Sequence, residues 1–282
     1  MSTTRGLVAS SLRSSLVDGP GHRHVLFLQG CNFDCVACHN PSTIRVCDSC
    51  AVCVGECPLS ALEVTGGSVV FHPDRCDGCD RCIAACPTDS SPMARQMGVT
   101  EVLDEIRPTA RFLSGITVSG GEPTQQVEFL IELFSAVKAD PELAGLSTMV
   151  DTNGSLPVAG WERLGPHLDG AMVDLKAGSR RLHRAITGHD LAAVHQSIRW
   201  LSSHGKLAEV RLLVIEGVTD TADELDAWAR FVTDVAPDIP IRLMAFRHQG
   251  ARPIARMWPE TSPEAVERVT AHLAGAGLTA VA

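Results

Sequence analysis

Six short apolar runs rich in β-branched residues punctuate the chain: HVLFLQG (24–30), GITVSGG (115–121), STMVDTNG (147–154), GAMVDLK (170–176), EVRLLVIEG (209–217) and IPIRLMAF (239–246). Near-continuous apolar stretches of this length, bounded by glycine or polar residues, predict strands buried on both faces. Helical patterns separate them: QQVEFLIELFSAVKAD (125–140), LAAVHQSIRWLSSHG (191–205), TADELDAWARFVTDVA (221–236) and SPEAVERVTAHLAGAG (262–277). The last opens with Ser262 as N-cap, Pro263 in the first turn and Glu264 behind it, the residues helix starts prefer. Strand and helix alternating at this pace predict an α/β fold, a parallel barrel or partial barrel of six β/α units. It would occupy 1–42 and 96–282, interrupted by a separate insert at 43–95.

In such folds the chemistry sits at the C-terminal ends of the strands. Polar residues collect there: Cys31 after the first strand, Ser119–Glu122 after the second, Asp151–Asn153 after the third, Asp174 and Lys176 after the fourth. Capping of the following helices could account for one or two of them, not easily for all.

The 11 cysteines all lie between Cys31 and Cys86. An odd number cannot pair fully within the chain, and a cluster of this kind points to metal rather than disulfides. CDSCAVCVGECP carries Cys47, Cys50, Cys53 and Cys57; CDGCDRCIAACP carries Cys76, Cys79, Cys82 and Cys86. Both read C-x2-C-x2-C-x3-C-P, the run of two-cluster bacterial ferredoxins, in which the fourth cysteine serves the other cluster. Cys47, Cys50, Cys53 and Cys86 are therefore assigned to one 4Fe–4S cluster, and Cys57, Cys76, Cys79 and Cys82 to another. Zinc is the alternative, but the doubled run with proline after each fourth cysteine fits it poorly. The first group, CNFDCVACHN, offers only Cys31, Cys35 and Cys38. Three thiolates leave one iron of a cube open, as a catalytic metal requires; a third ordinary cluster closed by a His or Asp is the other reading.

Composition narrows the field. A net charge of −9 argues against a nucleic-acid partner, since phosphate binding needs a basic surface. No apolar run approaches the roughly 20 residues of a membrane span, and the Ser-rich start lacks a secretory apolar segment. The expected location is the cytoplasm.

C-x3-C-x2-C at Cys31, Cys35 and Cys38 resembles the signature of radical S-adenosylmethionine (SAM) enzymes. DGPG (18–21), FLQGCNFDCVACHNP (27–41), SGGEPT (119–124), VDTNG (150–154), DLK (174–176) and RLLVIEG (211–217) together resemble the glycyl-radical enzyme activases, the group typified by pyruvate formate-lyase activating enzyme, and within it the YjjW-type activases. The likeness runs nearly end to end. It implies a radical SAM partial (β/α)6 barrel with an inserted ferredoxin-like domain, SAM, and three 4Fe–4S clusters, one of them SAM-ligated. It implies a partner glycyl-radical enzyme as protein substrate and a reduced flavodoxin or ferredoxin as electron donor. Another radical SAM enzyme, acting on a peptide or small molecule, is the alternative.

Residue roles follow from the resemblance. Cys31, Cys35 and Cys38 would hold the reactive cluster, with Ala37, Cys38 and His39 forming the turn beside SAM. Ser119, Gly120, Gly121 and Glu122 would approach its amino group, the glycines allowing close backbone approach. Asp151, Asn153, Asp174, Lys176 and Arg211 would complete the SAM contacts. Asp151, Thr152, Met172 and Asp174 match a monovalent-cation site. The family prototype places a His directly after the Phe that ends strand six; here Arg247 stands there and His248 follows, so either could make that contact. Asp18 in DGPG faces the substrate or simply forms a turn.

Overall fold

The computed structural model describes residues 4–281. The chain forms two compact units: one from the chain up to Asn32 together with Asn40–Leu146, the other from Phe33–His39 together with the chain from Ser147 onward.

The first unit contains β1 (Arg5–Ser15), β2 (Arg23–Leu28), the hairpin β3 (Leu62–Thr65) and β4 (Ser68–Phe71), the short α1 (Arg81–Ala84), β5 (Arg95–Gly98), α2 (Val99–Ile106), β6 (Gly115–Gly120) and α3 (Val127–Ala139). Its main strands lie in the order β6-β2-β1-β5. β2 runs parallel to β6, with Phe27 opposite Ser119 and Leu28 opposite Gly120; β1 is antiparallel to both β2 and β5. Phe129, Leu130, Leu133, Phe134 and Val137 make one stripe along α3 and are buried. Val25, Leu26 and Leu28 of β2 and Ile116 and Val118 of β6 are buried as well. Between Thr43 and Arg95, by contrast, the buried apolar side chains are Cys53, Ala61, Leu62 and Pro92. That is far too little apolar surface to hold fifty residues by itself.

The second unit contains β7 (Ser147–Thr152), α4 (Val158–Leu164), β8 (Gly170–Asp174), α5 (Arg180–Thr187), α6 (Ala192–Ser203), β9 (Leu207–Val214), α7 (Ala222–Val235), β10 (Ile241–Ala245), α8 (Pro263–Gly275) and β11 (Ala280–Val281). Its sheet runs β7-β8-β9-β10-β11, and the pairings of β8 with β7 and β9, and of β10 with β9 and β11, are all parallel. Two indoles tie elements together: Trp161 Nε1 donates to Ser197 Oγ at 2.8 Å, joining α4 to α6, and Trp228 Nε1 to the Leu175 carbonyl at 2.9 Å, joining α7 to the end of β8. Ser262 caps α8 as expected, its Oγ accepting from Ala265 N.

The six predicted strands are β2, β6, β7, β8, β9 and β10, each within three residues of its expected bounds, the widest gap being at the end of β9, as element ends fray. The four predicted helices are α3, α6, α7 and α8. β1, β5 and β11 are additions. β1 escaped because only Val8 and Gly6 along it are buried while Ser10, Leu12 and Ser14 are exposed, so no apolar alternation marks it. No helix among the described residues is long and apolar enough to cross a membrane.

Candidate active site

The insert cysteines sit on two copies of one backbone design. In the first copy Ser49 N donates to Cys47 Sγ at 3.4 Å and Ala61 N to Cys57 Sγ at 3.2 Å. In the second, Gly78 N donates to Cys76 Sγ at 3.4 Å and Ser90 N to Cys86 Sγ at 3.3 Å. Asp48 and Asp77 each accept the amide of the next cysteine, Cys50 and Cys79, at 3.1 Å. The non-glycine residues with left-handed backbone are Ser49, Ala51, Ser60, Asp80 and Asp89, all at these loops. Each costs on the order of 1–3 kcal/mol and persists only where something over-determines it. Amides aimed at sulfur, with strain repeated in both copies, suit thiolates wrapped around a bound inorganic group.

The fourth cysteines cross over. Cys57 lines one recess with Cys76, Cys79 and Cys82, walled by Leu59, Leu62, Phe71 and Met93. Burial pushes the Cys53 thiol up, and so do the neighbouring Cys47, Cys86 and Cys50. None of the 11 cysteines is joined in a disulfide. Among the described residues no group of three His, Cys, Asp or Glu side chains is placed to hold a single metal ion.

Elsewhere in the first unit the SGGE segment lies directly against the chain leading to Cys31. Gly121 N donates to Leu28 O at 2.9 Å and Glu122 N to Gly30 O at 2.8 Å; Gly30 N and Cys31 N donate to Thr43 O and Ile44 O, each at 2.8 Å. A Cβ on Gly120 would fall 2.2 Å from Leu28 O, and one on Gly121 2.3 Å from Gly30 O. The Glu122 carboxylate is buried and caps the next turn, accepting from Thr124 N at 3.0 Å and Thr124 Oγ1 at 2.6 Å. Gln29, which the sequence did not single out, donates through Nε2 to Ser42 O and Arg45 O at 2.7 and 2.5 Å.

In the second unit, the register of β7 to β10 sets a charged face: Asp151 opposite Met172, Asp174 opposite Arg211, Arg211 opposite Arg242. Arg211 is almost wholly buried. Its guanidinium meets Asp151 Oδ1 at 3.0 Å, Glu209 Oε1 at 2.6 Å and Met172 Sδ at 2.9 Å. Burial works against that charge, yet Asp151 and Asp174 hold its pKa above the usual range. Lys176 Nζ bonds Asp174 Oδ2 at 2.8 Å. Burial would lower its pKa, but Asp174 and the Cys35 thiol raise it on balance. The Cys35 thiol is pushed up to about 11 by burial, against the pull of Lys176. Lys176 would therefore favour a thiolate at Cys35, the form that binds iron.

The other Asp174 oxygen, Oδ1, is buried without a hydrogen-bond partner. A buried carboxylate oxygen left so is costly, and an ammonium or a cation would satisfy it. The residues present therefore fit a ligand with a positively charged group. Thr152 Oγ1 and Asn153 Oδ1 accept from Gly154 N and Ser155 N at 3.0 and 2.9 Å. The positive group beside Asp151 and Met172 is the Arg211 guanidinium.

The turn from Asp34 to His39 is gripped from several sides. Asp34 N and Val36 N donate to Thr187 O and Ile186 O, at the end of α5. Ala37 packs with Ile215, Phe246, Ala251 and Ala255. His39 stacks on Phe246 and donates through Nε2 to Arg247 O at 2.9 Å. The side chains of Arg247 and His248 are held within their own segment: Arg247 Nη1 donates to Thr261 O at 2.7 Å, His248 Nε2 to Trp258 O at 2.8 Å. Arg252, Phe246 and the α5 carbonyls go unannounced in the sequence, because their contacts are made so far along the chain; Glu209, two residues from Arg211 on the same strand face, is open to a period-two reading.

The radical SAM superfamily model matches residues 25–232, so the chain belongs to the radical SAM superfamily. It is 30% identical over 233 residues to a pyruvate formate-lyase-activating enzyme of Streptococcus mutans, covering 80% of this chain and 72% of the relative. It is 31% identical over 267 residues to the benzylsuccinate synthase activating enzyme of Thauera aromatica, covering 86% and 79%. Among solved structures it resembles a radical SAM methyltransferase from Sphaerobacter thermophilus, with TM-score 0.60 at 15% identity over 98% of this chain and 76% of that one. QueE from Escherichia coli superposes with TM-score 0.57 at 13% identity, over 98% and 92%.

Proposed function

We propose that this protein is a glycyl-radical enzyme activase. The observation that carries the reading is the three-cysteine segment, Cys31, Cys35 and Cys38, in a chain about 30% identical to activating enzymes of two different glycyl-radical enzymes. When bound, the 4Fe–4S cluster supplies one electron that cleaves SAM to methionine and a 5′-deoxyadenosyl radical, which takes hydrogen from a backbone glycine of the partner enzyme.

The chain's residues bind and orient. Cys31, Cys35 and Cys38 hold the cluster. Ser119, Gly120, Gly121 and Glu122 present backbone to the SAM amino group, an assignment supported by the carboxylate of Glu122 being engaged in its own cap. Lys176 and Arg211 give fixed positive charge for the SAM carboxylate and ribose, and Asp151, Asn153 and Asp174 line the same face. The orphaned Asp174 Oδ1 supports an ammonium or a monovalent cation there, and the family resemblance would add Asp151, Thr152 and Met172 to a cation's contacts. A contact from Arg247 or His248 would require that side chain to leave its present carbonyl partner. The barrel segments are taken as a partial (β/α)6 barrel. The 43–95 insert is taken as a ferredoxin-like domain with two further clusters, a reading its small apolar core and sulfur-directed amides favour. The electron donor would be reduced flavodoxin or ferredoxin, the setting the cytoplasm, and neither nucleic acid nor membrane is involved.

The test is SAM-dependent release of 5′-deoxyadenosine by the reduced, reconstituted protein, followed by electron paramagnetic resonance (EPR) of a candidate partner captured from anaerobic cells. A glycine-centred doublet in the partner is expected. Cys35→Ala should abolish SAM cleavage while the insert retains its iron; cleavage surviving that change would overturn the assignment.

A further inference from the structure

We propose that Arg252 is a positioning residue for Cys35: it fixes the two peptide groups that flank the Cys35 Cα, and so the direction of the Cα–Cβ bond that carries the thiol. The inference rests on Cys35 being a cluster ligand, as proposed above.

The turn that carries Cys35 closes on itself through one bond, Cys38 N to Cys35 O at 3.3 Å, so its other backbone groups must be bound from outside. On one side the amides of Asp34 and Val36 donate to Thr187 O at 3.1 Å and Ile186 O at 2.9 Å. These are last-turn carbonyls of α5, which lack partners within the helix. On the other side stands Arg252, 217 residues along the chain from Cys35. Its Nη1 lies 2.7 Å from Asp34 Oδ1, 3.3 Å from Asp34 O and 3.3 Å from Cys35 O. The carbonyls before and after the Cys35 Cα thus converge on one nitrogen, while the amides around it are held by α5. With both peptide planes fixed, the only freedom left to the thiol is its χ1 rotamer.

Arginine and lysine are usually not interchangeable where both arms of the guanidinium fork are engaged. Here a single nitrogen makes every contact, so a lysine ammonium with its three donors can replace it. Arg256 lies on the same segment, is exposed, and is the control.

The experiment compares anaerobically reconstituted wild-type, Arg252→Ala, Arg252→Lys and Arg256→Ala proteins. It reads the rate at which a ferrous chelator removes iron and the change that SAM induces in the EPR spectrum of the reduced protein. Arg252→Ala should release its SAM-responsive iron about tenfold faster, as loss of a charge-assisted bond allows, and lose most of the SAM-induced change. Arg252→Lys and Arg256→Ala should stay within about twofold of wild type. Wild-type behaviour of Arg252→Ala overturns the inference, as does Arg252→Lys being equally impaired. Should Arg252→Ala fail to fold, Arg252→Gln keeps part of the stem and an uncharged amide: a release rate faster than wild type supports the proposal and an unchanged rate refutes it. Cys35→Ala separates the two levels. If Cys35→Ala keeps the SAM-responsive signal, the cluster assignment fails; if it loses the signal while Arg252→Ala matches wild type, only the role of Arg252 fails.

Discussion

Replacing Gly121 by alanine tests whether the SGGE segment positions the chain at Cys31. The new Cβ would sit 2.3 Å from Gly30 O, 2.7 Å from Gly30 C and 2.7 Å from Thr43 O. Ordinary contact needs about 3.4 Å or more, so one backbone must retreat by roughly 1 Å. Both obstructing groups are backbone already tied down: Gly30 N to Thr43 O, Cys31 N to Ile44 O and Glu122 N to Gly30 O, each at 2.8 Å. No flexible side chain can yield. Forcing a methyl group into such a contact costs about 1–3 kcal/mol, which for a protein of this size lowers the melting temperature by roughly 2–5 °C. The displaced residue precedes Cys31, and a misplacement of about 1 Å in a reacting site can cost up to 10²-fold in rate. Anaerobic thermal melting and the SAM dependence of 5′-deoxyadenosine release measure both effects. Gly145→Ala is the control, since a Cβ there meets nothing within 4 Å. If Gly121→Ala matches Gly145→Ala in both assays, the close approach does not position the site.

Two further outcomes follow from the second unit. Trp228→Phe removes the bond from Nε1 to Leu175 O, one residue before Lys176; the buried carbonyl left unsatisfied should cost about 1–3 kcal/mol in chemical denaturation, and a denaturation curve unchanged from wild type would show that water replaces the indole. His195 stacks on Phe231 at 3.6 Å, and burial holds its imidazole down at about 4. A folded-state value below the unfolded 6.5 means the unfolded chain binds more protons between them. Stability is therefore full above about pH 6.5 and falls as the pH drops toward 4. His195→Gln, which cannot titrate, should flatten that part of a plot of melting temperature against pH; an unaltered slope would assign the acid sensitivity elsewhere.

The sequence by itself determined what rests on near neighbours along the chain. Period and composition located β2, β6, β7, β8, β9 and β10, because a strand buried on both faces must be apolar throughout. The cysteine spacings marked where thiolates gather, because three ligands on one short loop are set by that loop's covalent reach. Ser262 declared the start of α8, because a cap acts on amides only two or three residues away.

Tertiary structure decided the rest. That Cys57 shares a recess with Cys76, Cys79 and Cys82 is a contact between the two copies of the insert motif. That Arg211 is shared among Asp151, Glu209 and Met172 depends on the register of parallel strands, where a slip of one residue would turn each side chain to the other face. The grip of Arg252 on Asp34 and Cys35 joins residues more than two hundred positions apart. Such contacts leave no local trace, because a long polar side chain looks the same in a sequence whether it ends in water or on a buried carbonyl; only the folded backbone brings its partner within reach.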